Sequence, residues 1–152
     1  MKVYMVLMVV LLSACATAPK GAKAFSEVNI PRPSNGKSTL VFYRKITPPA
    51  SYEMRVHING KETVSLPNNT FSYVSLNAGT TKIETKWSAW SGARSKEKSI
   101  QIPPNKVVYL ELTSSVYSPG GIQLGGGSTQ AQADSYAVKT LKACCKYVPS
   151  KR

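Results

Sequence analysis

Between Ser38 and Thr113 the chain breaks into short runs of β-forming residues, each closed by turn residues, and this punctuation constrains the fold more than any other feature. Ser38–Lys45 (STLVFYRK) is rich in β-branched and aromatic residues, as strands are. Glu53–Ile58 alternates, with Met54, Val56 and Ile58 on one face and Glu53, Arg55 and His57 on the other, the pattern of a half-buried strand. Asn59-Gly60 then gives a two-residue hairpin signal, because both positions tolerate positive φ. Lys61–Leu66, Phe71–Leu76, Thr80–Trp87, Ser99–Ile102 and Lys106–Thr113 follow as strands. They are separated by Pro67-Asn68-Asn69, Asn77-Ala78-Gly79 and Pro103-Pro104-Asn105. About seven strands at spacings of about ten residues indicate a sandwich or barrel. Tight hairpins between neighbours make such strands antiparallel. The expected fold is therefore mainly β, an antiparallel sandwich.

The tail has another character. Pro119–Gly127 is glycine-rich, with a short strand suggested at Ile122-Gln123-Leu124. After Asp134, a plausible N-cap, Val138, Leu141, Cys145 and Val148 recur at helical spacing, widened by Ala137 and Cys144. This predicts one amphipathic helix over roughly Ser135–Tyr147, ended by Pro149. Its apolar face is expected on the sheet. A membrane-surface role is the alternative, with Lys139, Lys142, Lys146, Lys151 and Arg152 as its cations.

The first residues are of a different kind again. Met1-Lys2 is a positive start, and Val3–Leu12 is a nearly all-apolar run of ten residues. That is too short for a membrane-spanning helix, which needs about 20, but suits a secretory signal. Leu12-Ser13-Ala14-Cys15 resembles the bacterial lipobox. The resemblance implies cleavage before Cys15, with a diacylglyceryl group on its thiol and an acyl chain on its amine. No other cofactor is expected. Residues 1–14 read as the signal peptide, 15–37 as a lipidated flexible tether carrying Pro19, Gly21, Pro31, Pro33 and Gly36, and 38–148 as the folded domain. Ala16, where an aspartate marks many inner-membrane lipoproteins, points to the outer membrane and its periplasmic face.

Charge narrows the partners. The 20 basic residues against 7 acidic ones give a formal net of +13, which attracts anions at long range. In an envelope these are lipid and lipopolysaccharide head groups or wall polymers. Nucleic acid is not an expected partner there. A merely soluble basic surface is the plainer alternative.

Several segments resemble a family of small bacterial lipoproteins with an uncharacterised β-sandwich domain, related in pattern to PEGA-type surface domains. Thr39-Leu40-Val41-Phe42-Tyr43-Arg44 matches an opening aromatic strand ending in Arg. Val56-His57-Ile58-Asn59-Gly60-Lys61 matches a hairpin. Leu66–Phe71 and Leu76–Thr81 match the following turns, with Ala78 where a Pro is usual, and Lys106–Leu110 matches a closing strand with Tyr. The resemblance covers about half the chain. It implies a fold, and it carries no catalytic residues with it.

Chemistry is sparse. Acid–base and nucleophilic schemes need positioned His, carboxylate or thiol groups. His57 is the single histidine, and the acids are scattered: Glu27, Glu53, Glu62, Glu84, Glu97, Glu111 and Asp134. Glu53 and Glu62 approach His57 across the hairpin, which cross-strand pairing explains. An enzyme is not expected. Cys144 and Cys145 lack the Cys-x-x-Cys spacing of a zinc site, so no metal is expected. The pair is open to three readings: inert thiols, a vicinal disulfide, or an intermolecular disulfide linking a dimer. Finally, Lys86-Trp87-Ser88-Ala89-Trp90 and Arg94-Ser95-Lys96 place two indoles and three cations in one loop. Trp87, Trp90, Lys86, Arg94 and Lys96 form a candidate site for a glycan or an anionic lipid. The plainer alternative puts Trp87 in the core and Trp90 over its edge. The chain is thus expected to be an anchored envelope module that binds other envelope proteins, or a binding lipoprotein for peptidoglycan, lipopolysaccharide or another anionic polymer.

Overall fold

A computed structural model describes residues 17–91, 93–117 and 124–151. The signal peptide, Cys15 and Ala16, the Ile122-Gln123 part of the suggested strand, and Arg152 lie outside the described residues.

The strands are β1 (Lys37–Arg44), β2 (Met54–Ile58), β3 (Lys61–Leu66), β4 (Thr70–Asn77), β5 (Gly79–Lys86), β6 (Lys96–Ile102), β7 (Val107–Tyr117), β8 (Leu124–Gln132) and β9 (Lys146–Tyr147). Helix α1 spans Asp134–Cys144. One sheet runs β8-β7-β1-β4-β9 and the other β3-β2-β5-β6. The smaller sheet is antiparallel, built on the Asn59-Gly60 hairpin, whose φ values of 49° and 83° are those its turn requires.

The larger sheet corrects the expectation of a purely antiparallel sandwich of about seven strands. It is mixed: β1 pairs antiparallel with β4 but parallel with β7, and β4 pairs parallel with β9. Hairpin logic governs only sequence neighbours. The β1–β7 pair joins strands more than sixty residues apart, and no tight turn dictates its direction. Strands β8 and β9 add the count that short apolar runs did not announce.

Strand β1 is central and covered on both faces, which is why STLVFYR reads as a continuous run instead of an alternation. Leu40 and Phe42 point between the sheets, where they meet Met54, Val56, Ile83 and Leu110. Val41 and Tyr43 point the other way, into a second core under α1 with Phe71, Tyr109, Ala137 and Leu141. Burying Tyr43 brings its hydroxyl to Glu111 Oε2 at 3.2 Å, and Lys45 Nζ pairs with Glu111 Oε1 at 2.8 Å. A nearly inaccessible carboxylate is thereby satisfied from two sides. Burial, and the facing Glu111, push the Tyr43 hydroxyl above the ordinary tyrosine range.

Helix α1 lies with its apolar stripe on the sheet, so that stripe is not free to enter a membrane. Its bounds differ from those expected. Ala133 is the N-cap, and Asp134 occupies the first turn, where its charge complements the helix dipole. The helix stops at Cys144 because the sheet takes the next donors: Lys146 N–H donates to Asn69 O at 2.9 Å and Tyr147 N–H to Lys23 O at 2.8 Å. Val148, expected on the helix stripe, lies beyond it and packs between the sheets.

The expected tether does not stand free of the domain over its described part. Thr17 bridges to Asn68 and Ala24 to Lys146. Phe25, in a single 3-10 turn at Phe25–Glu27, packs edge-on against Phe71 with ring centres 5.3 Å apart. Val28 and Ile30 join the same core. These apolar residues are too few to show a period among the prolines and glycines, yet enough to dock the segment. At the other end the chain stays engaged to Lys151, whose N–H donates to Thr63 O at 2.7 Å.

Candidate binding surfaces

The two tryptophans separate at the end of β5. Trp87, one residue past the strand, continues its inward alternation and is 7% exposed in the inter-sheet core. Its indole N–H is buried and has no hydrogen-bond partner among the described residues. Trp90 sits in the 3-10 turn Ala89–Ser91 and is 89% exposed. That turn is rigidified locally: Ser91 N–H donates to Ser88 O at 2.9 Å, Ala93 N–H to Ser91 Oγ at 3.1 Å, and Tyr52 OH to Trp90 O at 3.2 Å. The expected five-residue site is therefore split. Trp90, Arg94 and Lys96 are exposed together along the loop. Trp87 is withdrawn from it, and Lys86 Nζ is engaged by Glu84 Oε2 at 3.1 Å.

Beside this loop, where β5 and β6 of one sheet approach β8 of the other, lies a cleft of 280 Å³. Thr85, Lys96, Glu97, Lys98, Thr129 and Gln130 line it. It is open and lined largely by polar side chains, suited to hydroxyl-rich or anionic groups more than to an apolar ligand.

Sequence reasoning noticed Arg44 only as the end of an aromatic strand. Its side chain points between the sheets and is fully buried. Nη1 donates to Tyr52 O at 2.8 Å and Leu66 O at 3.0 Å, Nη2 to Thr47 O at 2.9 Å and Pro49 O at 3.3 Å, and Nε to Thr47 Oγ1 at 3.2 Å. The guanidinium carbon lies 4.8 Å from the Trp87 ring centre, a cation–π distance. Burial lowers the guanidinium pKa to about 10, partly opposed by Glu53. It is still charged at neutral pH, held by carbonyl dipoles and an aromatic face.

His57 lies on the outer face of the smaller sheet, Nε2 4.0 Å from Glu62 Oε2, the cross-strand neighbour expected. Glu62 is also bound by Lys151, which holds its carboxyl below the usual range. Glu53, Glu62, Glu84 and Glu97, four of the chain's seven acids, lie on this face; Glu97 pairs with Lys82, Glu84 with Lys86 and Glu62 with Lys151, while Glu53 accepts from the Ser65 hydroxyl. Other exposed lysines have no ion pair among the described residues, including Lys20 and Lys23 in the N-terminal segment and Lys142 and Lys146 at the end of α1.

There Cys144 and Cys145 form a vicinal disulfide. Cys145 is buried against the sheet with its sulfur 3.9 Å from Arg44 O, and Cys144 is half-buried. A disulfide-linked dimer would need one of these sulfurs free. Among the described residues, no group of three or more His, Cys, Asp or Glu is placed to hold a metal ion, and no helix is long and apolar enough to cross a membrane.

No protein-family model matches the chain, and no curated protein matches it.

Proposed function

We propose that this chain is a lipid-anchored envelope lipoprotein whose β domain is a non-enzymatic structural or interaction module at the periplasmic face of the outer membrane. One observation carries the reading: an apolar run, Val3–Leu12, that leads directly into Leu12-Ser13-Ala14-Cys15. Ala16 supports the outer membrane, and kinship with PEGA-type surface domains belongs to the same proposal. The pairing of His57 with Glu62 and of Glu62 with Lys151 supports a structural use of these groups. In cells fed an alkyne fatty acid, the native chain should take up label and sediment with membranes. Cys15→Ser should lose the label and leave the membrane fraction. Membrane retention of an unlabelled Cys15→Ser chain at native levels would sink the anchor.

A second reading is favoured by a specific observation, the exposure of Trp90, with Arg94 and Lys96 exposed further along the same stretch of chain and Lys96 lining the polar cleft. In this reading the loop contacts a glycan or an anionic envelope polymer, with the Trp90 face stacking on a sugar ring. Titration with soluble peptidoglycan fragments or lipopolysaccharide should shift tryptophan emission in the native chain. Trp90→Ala should weaken binding about tenfold without changing the unfolding midpoint, since aromatic contacts of this kind contribute about 1 to 2 kcal/mol. Unchanged binding in Trp90→Ala removes the loop from consideration.

A further inference from the structure

We infer that the domain lies flush against the bilayer, with Lys20, Lys23 and Lys146 set on anionic phospholipid head groups of the leaflet that holds the Cys15 acyl chains. The inference rests on the lipoprotein reading and adds to it an orientation and a lipid class.

The first support is chain length. Thr17 is already bridged to Asn68 beside β4. Only two residue steps separate it from Cys15, and two steps span at most about 7 Å. There is no room for a leash. The edge of the domain that carries Thr17 and Asn68 must stand within about one screening length of the membrane surface, which is about 8 Å at physiological salt.

The second support is what that edge carries. Residues Thr17, Ala22, Asn68, Asn69, Cys144 and Lys146 surround one shallow concavity. Lys20 is exposed in the turn closed by Ala22 N–H donating to Pro19 O at 3.1 Å. Lys23 is exposed where its carbonyl accepts from Tyr147 N–H. Lys142, also exposed, lies in the last turn of α1 just before. None of these four lysines forms an ion pair among the described residues. Glu27 is the acid of this neighbourhood, and its Oε2 is engaged by Ala24 N–H at 2.6 Å.

The third support is the contrast with the opposite side. At the smaller sheet Lys82 pairs with Glu97, Lys86 with Glu84 and Lys151 with Glu62. On the side where the anchor enters, Lys20, Lys23, Lys142 and Lys146 have no such partner among the described residues. A surface lysine near an anionic membrane strengthens association about fivefold, and several together hold an already anchored domain in one orientation.

The test uses the acylated protein purified from membranes and reconstituted in vesicles, with acylation confirmed by mass. Lysines are modified with a water-soluble amine reagent and scored by peptide mass spectrometry. In vesicles containing phosphatidylglycerol, Lys20, Lys23 and Lys146 should react at least fivefold more slowly than in phosphatidylcholine alone. Lys82 and Lys98 should not change. The protection should vanish in about 1 M salt, where screening shortens to about 3 Å. The acylated triple variant Lys20→Gln/Lys23→Gln/Lys146→Gln should lose the lipid-dependent difference at Lys142. Equal rates in both lipids, or protection spread equally over Lys82 and Lys98, overturns the orientation while leaving the anchor intact. Absence of acyl mass on Cys15 overturns the anchor itself, and the orientation with it.

Discussion

Arg44→Met is expected to lower the free energy of unfolding by roughly 3 to 5 kcal/mol, the range for breaking a buried, hydrogen-bonded charge network. The side chain is matched in length and remains apolar, so the cost does not come from a cavity. It comes from Tyr52, Leu66, Thr47 and Pro49, whose carbonyls each accept from the guanidinium and face the sandwich interior or its rim. A buried acceptor left without a partner costs about 1 to 3 kcal/mol. The damage should also be spread over both sheets, because Arg44 ends β1 in one and reaches Leu66 at the end of β3 in the other. Arg44→Lys is the sharper comparison. An ammonium keeps the charge but lacks the planar fork that serves four carbonyls at once, so it should recover less than half of the loss. Urea unfolding of the soluble chain from residue 16 onward measures both. A midpoint for Arg44→Met within experimental error of the native one would mean that these carbonyls find water, and that the arginine is not what joins the sheets.

Arg44 also shows where sequence reading ends. That it closes an aromatic strand was legible. That four of its five acceptors are loop or strand-end carbonyls was not, because backbone acceptors carry no residue signature. The same division runs through the fold. Alternation in Met54–Ile58 and the Asn59-Gly60 turn state a hairpin locally, and the hairpin is there. The parallel register Val41↔Tyr109 has no local expression, since it depends on where an entire intervening sheet has been placed. In the Trp loop, the two indoles three residues apart look alike in sequence. Only the length of β5, ending at Lys86, decides that Trp87 continues an inward alternation and Trp90 does not. Phe25, Val28 and Ile30 were hidden for a different reason. They contribute to a core whose other members come from β1, β4, β7 and α1, so no single segment displays the pattern.

Phe71→Ala is the other substitution with a large expected effect, and it bears on how the domain meets its anchor. Phe71 is fully buried in the second core, in contact range of Phe25 at 5.3 Å and Tyr147 at 5.5 Å between ring centres. Truncating a buried phenylalanine costs about 3 to 5 kcal/mol, and here the ring is shared by β4, β9 and the N-terminal segment. The loss should therefore not be uniform. The inter-sheet core, with Leu40, Phe42 and Leu110, is on the other face and keeps its packing. The segment 17–30 should loosen first, because it is held by few hydrogen bonds and by this aromatic cluster. Limited trypsin digestion should then cut after Lys20 and Lys23 at least tenfold faster than in the native chain, under conditions where the sheets remain intact by circular dichroism. Phe25→Ala separates the two effects: it removes the half-buried partner, so cutting should accelerate while the unfolding midpoint moves much less. If Phe71→Ala unfolds more easily but segment 17–30 stays protected, the bridges to Asn68 and Lys146 suffice to hold it. The aromatic cluster then stabilises the sheet without setting the distance between the domain and the membrane.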